Sequence, residues 1–523
     1  NGQRGTGCAD AGGRGHGGVR LAVDCILVVP NSRASAYGPL ARFAAVEPPV
    51  WAGLLATFLL NKGYGVEILD AHALDLSPEQ VGQQVSEARP RLACVVAYGH
   101  QPSASTQTMP GARAALEAIR AAAPQVPTAI LGGHPSALPE RTLREETVDY
   151  VIEGEGPYTL AALLHGGVAD PATVPGLWWW GDHGRPVRNA PAPLVKDLDG
   201  EMPGGAWEKL PPVKTYKAHN WHGLTNGGLR EGYAALATEL GCPFHCNFCQ
   251  IQAPFKSGER ALGYPPEVNS YRRWSPRLVG EQLERLVTHD GVSNVKMVDE
   301  MHLLSRAHVE GICDEILRRG LGGYLNIWAY SRVDTAKWPD LLEKMRRSGY
   351  RFLALGIEAA DSSVRDGQDK GFSDFEILKT VRAIQATDIC VIGNFIVGLP
   401  GDTAESIQRT LDLALELRCE WMNVYPALAL PGSQLYEDAL AKGWRLPRVW
   451  AGFSFLGYEC IPLPTESLSS EDILRFRDQV FFPSYFGDPE YLAMMQEKFG
   501  QAAVTDILAM VAAGPPKRKI LGH

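Results

Sequence analysis

Three cysteines within one short loop carry the most definite chemistry in this sequence. Gly241-Cys242-Pro243-Phe244-His245-Cys246-Asn247-Phe248-Cys249 sets its thiols at the spacing Cys-x3-Cys-x2-Cys. Thiolates ligate iron-sulfur clusters, and a four-iron, four-sulfur cubane takes four ligands, so three close cysteines leave one iron open to a small molecule. A structural zinc is the alternative reading, and it asks for a fourth cysteine or a histidine at finger-like spacing. His245 lies inside the loop between ligands, and no second Cys-x2-Cys follows. The other cysteines, Cys8, Cys25, Cys94, Cys313, Cys390, Cys419 and Cys460, are scattered, the pattern of a reduced cytosolic protein.

Such a loop needs a strand to launch it. Apolar runs at 233–237, 294–298, 325–329, 352–357, 391–397 and 421–425 read as six strands, with helical periods at 276–288, 305–318, 336–347 and 403–417 between them. Six βα units make a partial (β/α)6 barrel, which gathers its chemistry at the carboxyl ends of its strands, and the cysteines follow the first strand. These features resemble the radical S-adenosylmethionine (SAM) superfamily, with Phe248 at that family's aromatic position before the last cysteine. The resemblance implies a [4Fe-4S] cluster whose open iron chelates the amino and carboxylate groups of SAM. An electron from an external donor such as flavodoxin or ferredoxin then breaks the sulfonium to a 5′-deoxyadenosyl radical.

The same resemblance assigns the polar residues that close the other strands. Asp299 and Glu300 stand where many members carry Gly-Gly-Glu for the SAM amine, and a carboxylate suits that cation. Ser331 and Arg332 fall at the position contacting the SAM carboxylate or ribose. Glu358, after Gly356-Ile357, falls near ribose or substrate and joins the three cysteines as a catalytic candidate. Asn394 and Phe395, followed by Gly398, match the adenine-side strand, with core packing as the competing reading for Phe395.

The amino-terminal half alternates strands at 25–29, 66–69, 92–97, 128–131 and 150–152 with helical segments such as 51–61 and 111–122, a doubly wound α/β pattern. The dinucleotide fingerprint is missing after the first strand, where Pro30-Asn-Ser-Arg-Ala-Ser occurs, which argues against NAD. Ligands in such sheets sit at strand carboxyl ends, where Gly132-Gly133 follows the fourth strand. This half is similar to the Rossmann-like cobalamin-binding domain that precedes many radical SAM barrels. The likeness rests on Gly132-Gly133-His134-Pro135-Ser-Ala-Leu-Pro-Glu, on Val151-Ile-Glu-Gly-Glu-Gly-Pro157 and on Gly63-Tyr-Gly-Val-Glu-Ile. It implies cobalamin contacts from Ser103, Gly132, Gly133, Glu153 and Gly154, with His100 beside Ser103. Asp70-Ala-His72 partly matches the Asp-x-His-x-x-Gly signature of a histidine on cobalt, but it follows the second strand and has Asp75 in place of glycine. No histidine ligand to cobalt is expected, and His72 is read as a loop residue.

A length of 523 residues implies several cores, and 45% hydrophobic with 21% charged residues describes a soluble globular protein. The formal charge of −9 argues against a nucleic-acid partner held through phosphates. The longest apolar run, residues 51–60, falls short of the ~20 that span a bilayer, so no membrane segment is expected. The expected order is a disordered glycine-rich tail (1–20), a cobalamin-binding domain (21–165), a connector (166–230), the radical SAM barrel (231–437) and a helical carboxyl-terminal region (438–523). His219 and His222 in the connector are candidates for ligand contact, and Pro515-Pro-Lys-Arg-Lys519 reads as a frayed, solvated terminus.

The resemblance spans nearly the whole chain and implies a cytoplasmic, monomeric, cobalamin-dependent radical SAM methyltransferase. One SAM methylates cobalamin and a second yields the radical, which takes hydrogen from an unactivated carbon, or acts at phosphorus, of a small molecule that then receives the methyl. A carbon without lone pair or acidic proton cannot attack a sulfonium, so a radical comes first. Non-methylating rearrangement or cyclisation, methylation without cleavage of SAM to a radical, and more remotely a corrinoid or iron-sulfur sensor, stay open.

Overall fold

The computed structural model describes residues 23–37, 44–99, 104–366 and 371–522. Strands β1 (Cys25–Val29), β2 (Val66–Asp70), β3 (Leu92–Val96), β4 (Thr128–Leu131) and β5 (Tyr150–Ile152) are short apolar runs. β1, β3 and β4 are buried along their whole length, as parallel strands covered on both faces must be. They pair in parallel in the order β2-β1-β3-β4-β5, so the winding reverses between β1 and β3. That switch point opens a crevice at the strand carboxyl ends.

The sheet does not stop at residue 165. β6 (Leu177–Trp180) and β7 (Pro186–Arg188), within the expected connector, add two antiparallel strands to it. The tryptophans of Trp178-Trp179-Trp180 lie on β6, where aromatic side chains favour the pleat and Trp178 donates to Glu153 at 2.6 Å.

The second sheet contains six parallel strands in the order β15-β14-β13-β12-β11-β8: β8 (Tyr233–Leu236), β11 (Asn294–Met297), β12 (Asn326–Arg332), β13 (Tyr350–Glu358), β14 (Cys390–Val397) and β15 (Trp421–Pro426). The side chains of Ser275, Ser305, Ser373 and Thr403 accept from backbone N–H groups at the starts of the intervening helices. A two-stranded ladder, β9 (Glu239–Leu240) with β10 (Arg272–Arg273), flanks the cysteine loop. β12 runs further than the apolar run suggests because its pairing with β13 continues to Arg332 opposite Gly356. Ser331 and Arg332 therefore end the strand instead of following it.

One hydrophobic cluster passes from Leu27 and Leu55 of the first half through Phe255 to Val295 and Leu353 of the barrel. Charged clamps reinforce this shared core. Glu153 accepts from Arg188 at 2.8 Å and Arg260 at 3.3 Å, while Glu155 accepts from Arg272 at 2.7 Å and from the Val195 N–H at 2.9 Å. The carboxyl-terminal segment is also anchored, contrary to its sequence reading. Arg518 is fully buried, donates to Asp478 at 2.8 and 3.1 Å and to the Gly457 carbonyl at 3.0 Å. A buried carboxylate waiting elsewhere in the chain is what the local composition of that segment conceals. Among the described residues no helix is long and apolar enough to cross a membrane.

Candidate active site

Two adjoining cavities occupy the space between the sheets, and the cysteine loop stands at their junction. The loop leaves β9 through Gly241, whose φ of 90° and lack of Cβ are required because a Cβ there would lie 2.2 Å from the Ser270 carbonyl. Cys242, Cys246 and Cys249 all line the larger cavity, of about 530 Å³. The Cys249 N–H donates to the Cys246 carbonyl at 3.0 Å, Asn269 donates to the Phe244 carbonyl at 2.8 Å, and Gln252 donates to the Cys242 carbonyl. Burial pushes the Cys242 thiol up to about 12 and the Cys249 thiol well above the ordinary thiol range. Such groups ionise only against a strong cation, which cluster iron supplies. Three thiols on one loop, beside a cavity sized for a small molecule, thus fit a cubane with an open iron.

The SAM-side candidates separate into those that face the cavity and those that brace it. Glu300 lines both cavities, and burial, with Asp299 adding and Lys296 opposing, pushes its carboxyl up to about 8. Asp299 has another role. It accepts from the Thr238 N–H and hydroxyl at 2.6 Å, from the Glu239 N–H at 3.0 Å and contacts His302 Nδ1 at 2.7 Å, so its lone pairs are consumed in tying β11 to the base of the cysteine loop. His302 continues to the Tyr350 hydroxyl at 2.7 Å. Arg332 lies with its guanidinium carbon 3.8 Å from the Phe244 ring centre and donates to Asp334 at 3.0 Å, holding the loop from β12. Ser331 bonds Thr335 at 2.8 Å on the cavity wall.

Glu358 ends β13 in a left-handed conformation, φ 68°, just past a register shift between Gly356 and Glu358. The bulge turns a buried carboxylate toward the cavity, a strained arrangement typical of working side chains. Asn394 lines the same wall, donating to the Leu355 carbonyl at 3.2 Å and accepting from Asn423 at 2.9 Å. Phe395 does not face the cavity. Strand side chains alternate, so Ile392, Asn394 and Ile396 line the cavity while Phe395 packs 5.9 Å from Phe481 in the core. Phe248 lines the cavity and packs against the cluster around Ile396 and Leu399.

The smaller cavity lies at the switch point of the first sheet, lined by Val29, Val96, Tyr98, Gly99 and Gly133 from one half and Glu239, Gly241, Gln250 and Phe255 from the other. Gly132 has φ 150°, and a Cβ there would lie 2.3 Å from the Ala97 carbonyl, so only glycine lets β4 end against β3 and bring Gly133 to the crevice. The strand ends and glycine edge suit a large flat ligand laid over the sheet. Glu153 and Gly154 lie away from this wall: Glu153 is spent on Trp178, Arg188 and Arg260, and Gly154 approaches Ser257 of the barrel half. Ser103 and His100 lie outside the described residues. His72 lines the crevice, and burial, with Arg33 adding, drops it to about 4.

Of the connector histidines, His222 is core, bonded to the Asn326 carbonyl at 2.8 Å, whereas His219 lines the larger cavity 3.4 Å from Glu47. Sequence reading missed the partner of Glu47, the fully buried Lys296 at 2.9 Å. The signal was a lysine inside the buried strand Asn294–Met297, where a charge persists only when paired.

Comparison with known proteins places these features. Residues 38–164 match the B12 binding domain family and residues 240–414 the Radical SAM superfamily. The uncharacterized methyltransferase PH0819 of Pyrococcus horikoshii is 25% identical over 410 residues, 78% of this chain and 82% of that protein. An anaerobic magnesium-protoporphyrin IX monomethyl ester cyclase of Cereibacter sphaeroides is 26% identical over 424 residues, 79% of this chain but only 63% of that protein. The fold is that of the radical S-adenosylmethionine methyltransferase TsrM from Kitasatospora setae, solved with tryptophan and aza-SAM bound, at a TM-score of 0.60 and 19% identity over 81% of this chain and 77% of TsrM. With a B12-binding domain joined to a radical SAM domain, the chain belongs to the cobalamin-dependent radical SAM family, whose cofactors are a [4Fe-4S] cluster, SAM and cobalamin.

Proposed function

We propose that this protein is a methyltransferase that moves a methyl group from SAM, by way of cobalamin, to an unactivated carbon or to phosphorus of a small molecule. The supporting observation is the shared wall between the two cavities: Ala104, Gln107, Gln250, Ile251, Val298 and Glu300 line both. A carrier in one cavity and a substrate in the other are then separated by single side chains, the proximity that group transfer demands. When bound, cobalamin supplies a methyl carrier and the cluster supplies the electron that splits SAM.

The chain's residues hold and enclose the reaction. Cys242, Cys246 and Cys249 would ligate three irons, Glu300 would accept from an N–H of the SAM amine, Ser331, Arg332 and Asn394 would flank the nucleoside, and Glu358 would meet ribose or substrate. Gly133 and the strand edges around it support the corrin. Trp328, Tyr330, Phe455 and Phe482 line the cavity and exclude water that would quench a radical. An external electron donor, a cytoplasmic location and a monomeric state complete the reading.

The cyclase relatives support a second reading, ring formation without methyl transfer. Product analysis separates the two. Methyl transfer leaves S-adenosylhomocysteine and 5′-deoxyadenosine in equal amounts, each matching methylated product; deoxyadenosine with no homocysteine product and no added methyl rejects it in favour of cyclisation.

A further inference from the structure

We propose that Arg477 anchors an oxyanion on the substrate, so that the enzyme takes an acidic molecule with a large apolar body. This deepens the reading of the larger cavity as the substrate side of a radical site. Arg477 lies on a π-helical turn (Phe476–Phe481), a backbone irregularity common at functional sites, and lines the cavity although the residue is only 5% exposed. Its Nε donates to the Val424 carbonyl of β15 at 2.8 Å, its Nη1 bonds Asp478, and its guanidinium carbon is 5.5 Å from the Phe455 ring centre. Nη2 makes no hydrogen bond among the described residues.

The charges around it do not balance locally. Asp478 is shared between Arg477 and the fully buried Arg518, so two guanidinium groups meet one carboxylate. Glu358, on β13, lines the same cavity, and both it and Arg477 act electrostatically on the buried Tyr425 hydroxyl. A buried cation with an unused donor calls for an acceptor, and the planar fork of arginine fits carboxylate or phosphate oxygens. Phe455 lies against Arg477, and the cavity it lines carries further large apolar side chains, among them Trp421, Met422, Phe453, Phe482 and Met510. Arg477 is held on β15, the sheet edge opposite the strand that leads to the cysteines, one strand from Asn394 on β14 and away from Glu300 and Arg332 at the ends of β11 and β12.

Binding to the reconstituted protein with SAM saturating, measured by isothermal titration without turnover, tests this with 4-biphenylcarboxylate, biphenyl-4-yl phosphate and the neutral 4-biphenylcarboxamide. The wild type is expected to bind at least one acid about tenfold or more tightly than the amide, as charge-assisted bonds to arginine do. The tighter acid identifies the oxyanion. Arg477→Gln should erase the preference with SAM affinity unchanged, and Arg477→Lys, which keeps the charge, should retain part of it. Equal binding of acids and amide, no binding of either acid, or an undiminished preference in Arg477→Gln overturns the proposal. Loss of SAM affinity in Arg477→Gln assigns the guanidinium to the carboxylate of SAM and overturns it too. Should Arg477→Gln fail to fold, the wild-type comparison and Arg477→Lys still decide. Because no turnover is involved, acid preference stands or falls separately from methyl transfer.

Discussion

Glu300 shows how a single side chain can be suited to a cation yet held neutral until that cation arrives. With its carboxyl pushed up to about 8 by burial, it is protonated at neutral pH in the ligand-free protein. Ionising Glu300 against the amine of bound SAM then releases a proton beyond the one the amine itself sheds on meeting iron, so SAM affinity should rise as pH climbs from 6.5 toward 8 and rise less steeply in Glu300→Gln, read by titration calorimetry in buffers of different ionisation heat. Stability runs the other way: the neutral carboxyl's contribution is full below the unfolded value near 4.3 and is lost as pH rises through about 8. Cys246→Ala should abolish cluster-dependent deoxyadenosine formation, whereas the cob(II)alamin spectrum in His72→Ala should stay unchanged. An intact cluster signal in the first variant, or a spectral shift in the second, would contradict these assignments. The cysteines were legible because their spacing is local to one loop. Asp299 and Phe395 were not, because which way a strand-end side chain points depends on register and on partners such as Thr238 and Phe481.

At the scale of elements, most strands were readable because a buried parallel strand is a short apolar run whatever lies beside it. β6 and β7 escaped because their pairing is with β5 and with each other, and nothing in a Trp-rich stretch names its partner. The segment Val151-Ile-Glu-Gly-Glu-Gly-Pro157 was correctly singled out but works differently from its expected contact with cobalamin. Its two glutamates hold the halves together, taking arginines from the barrel side. Arg272→Ala should strip Glu155 of a partner across a nearly dry interface, 11% and 2% exposed, at a cost of about 3–5 kcal/mol. Calorimetry should then show the single unfolding transition broaden or split, since the clamp joins two sheets.

The molecule as a whole is two sheets facing each other across their carboxyl edges, closed by a carboxyl-terminal cover. Arg518→Ala should lower stability in urea unfolding by about 1–3 kcal/mol, because Asp478 and the Gly457 carbonyl lose hydrogen bonds from a buried guanidinium while Arg477 still pairs with Asp478. It should also raise deoxyadenosine formed without substrate turnover, since Met510, Gly514, Pro515 and Pro516 would no longer be fixed against the cavity. That anchoring has a consequence for how the protein is made. The cysteine loop and all six barrel strands precede residues 510–518 in the chain, so this part of the cavity wall can be set in place only after the barrel has been synthesised. Arg518 finding Asp478 therefore fastens a wall onto a barrel whose strands all precede it in the chain.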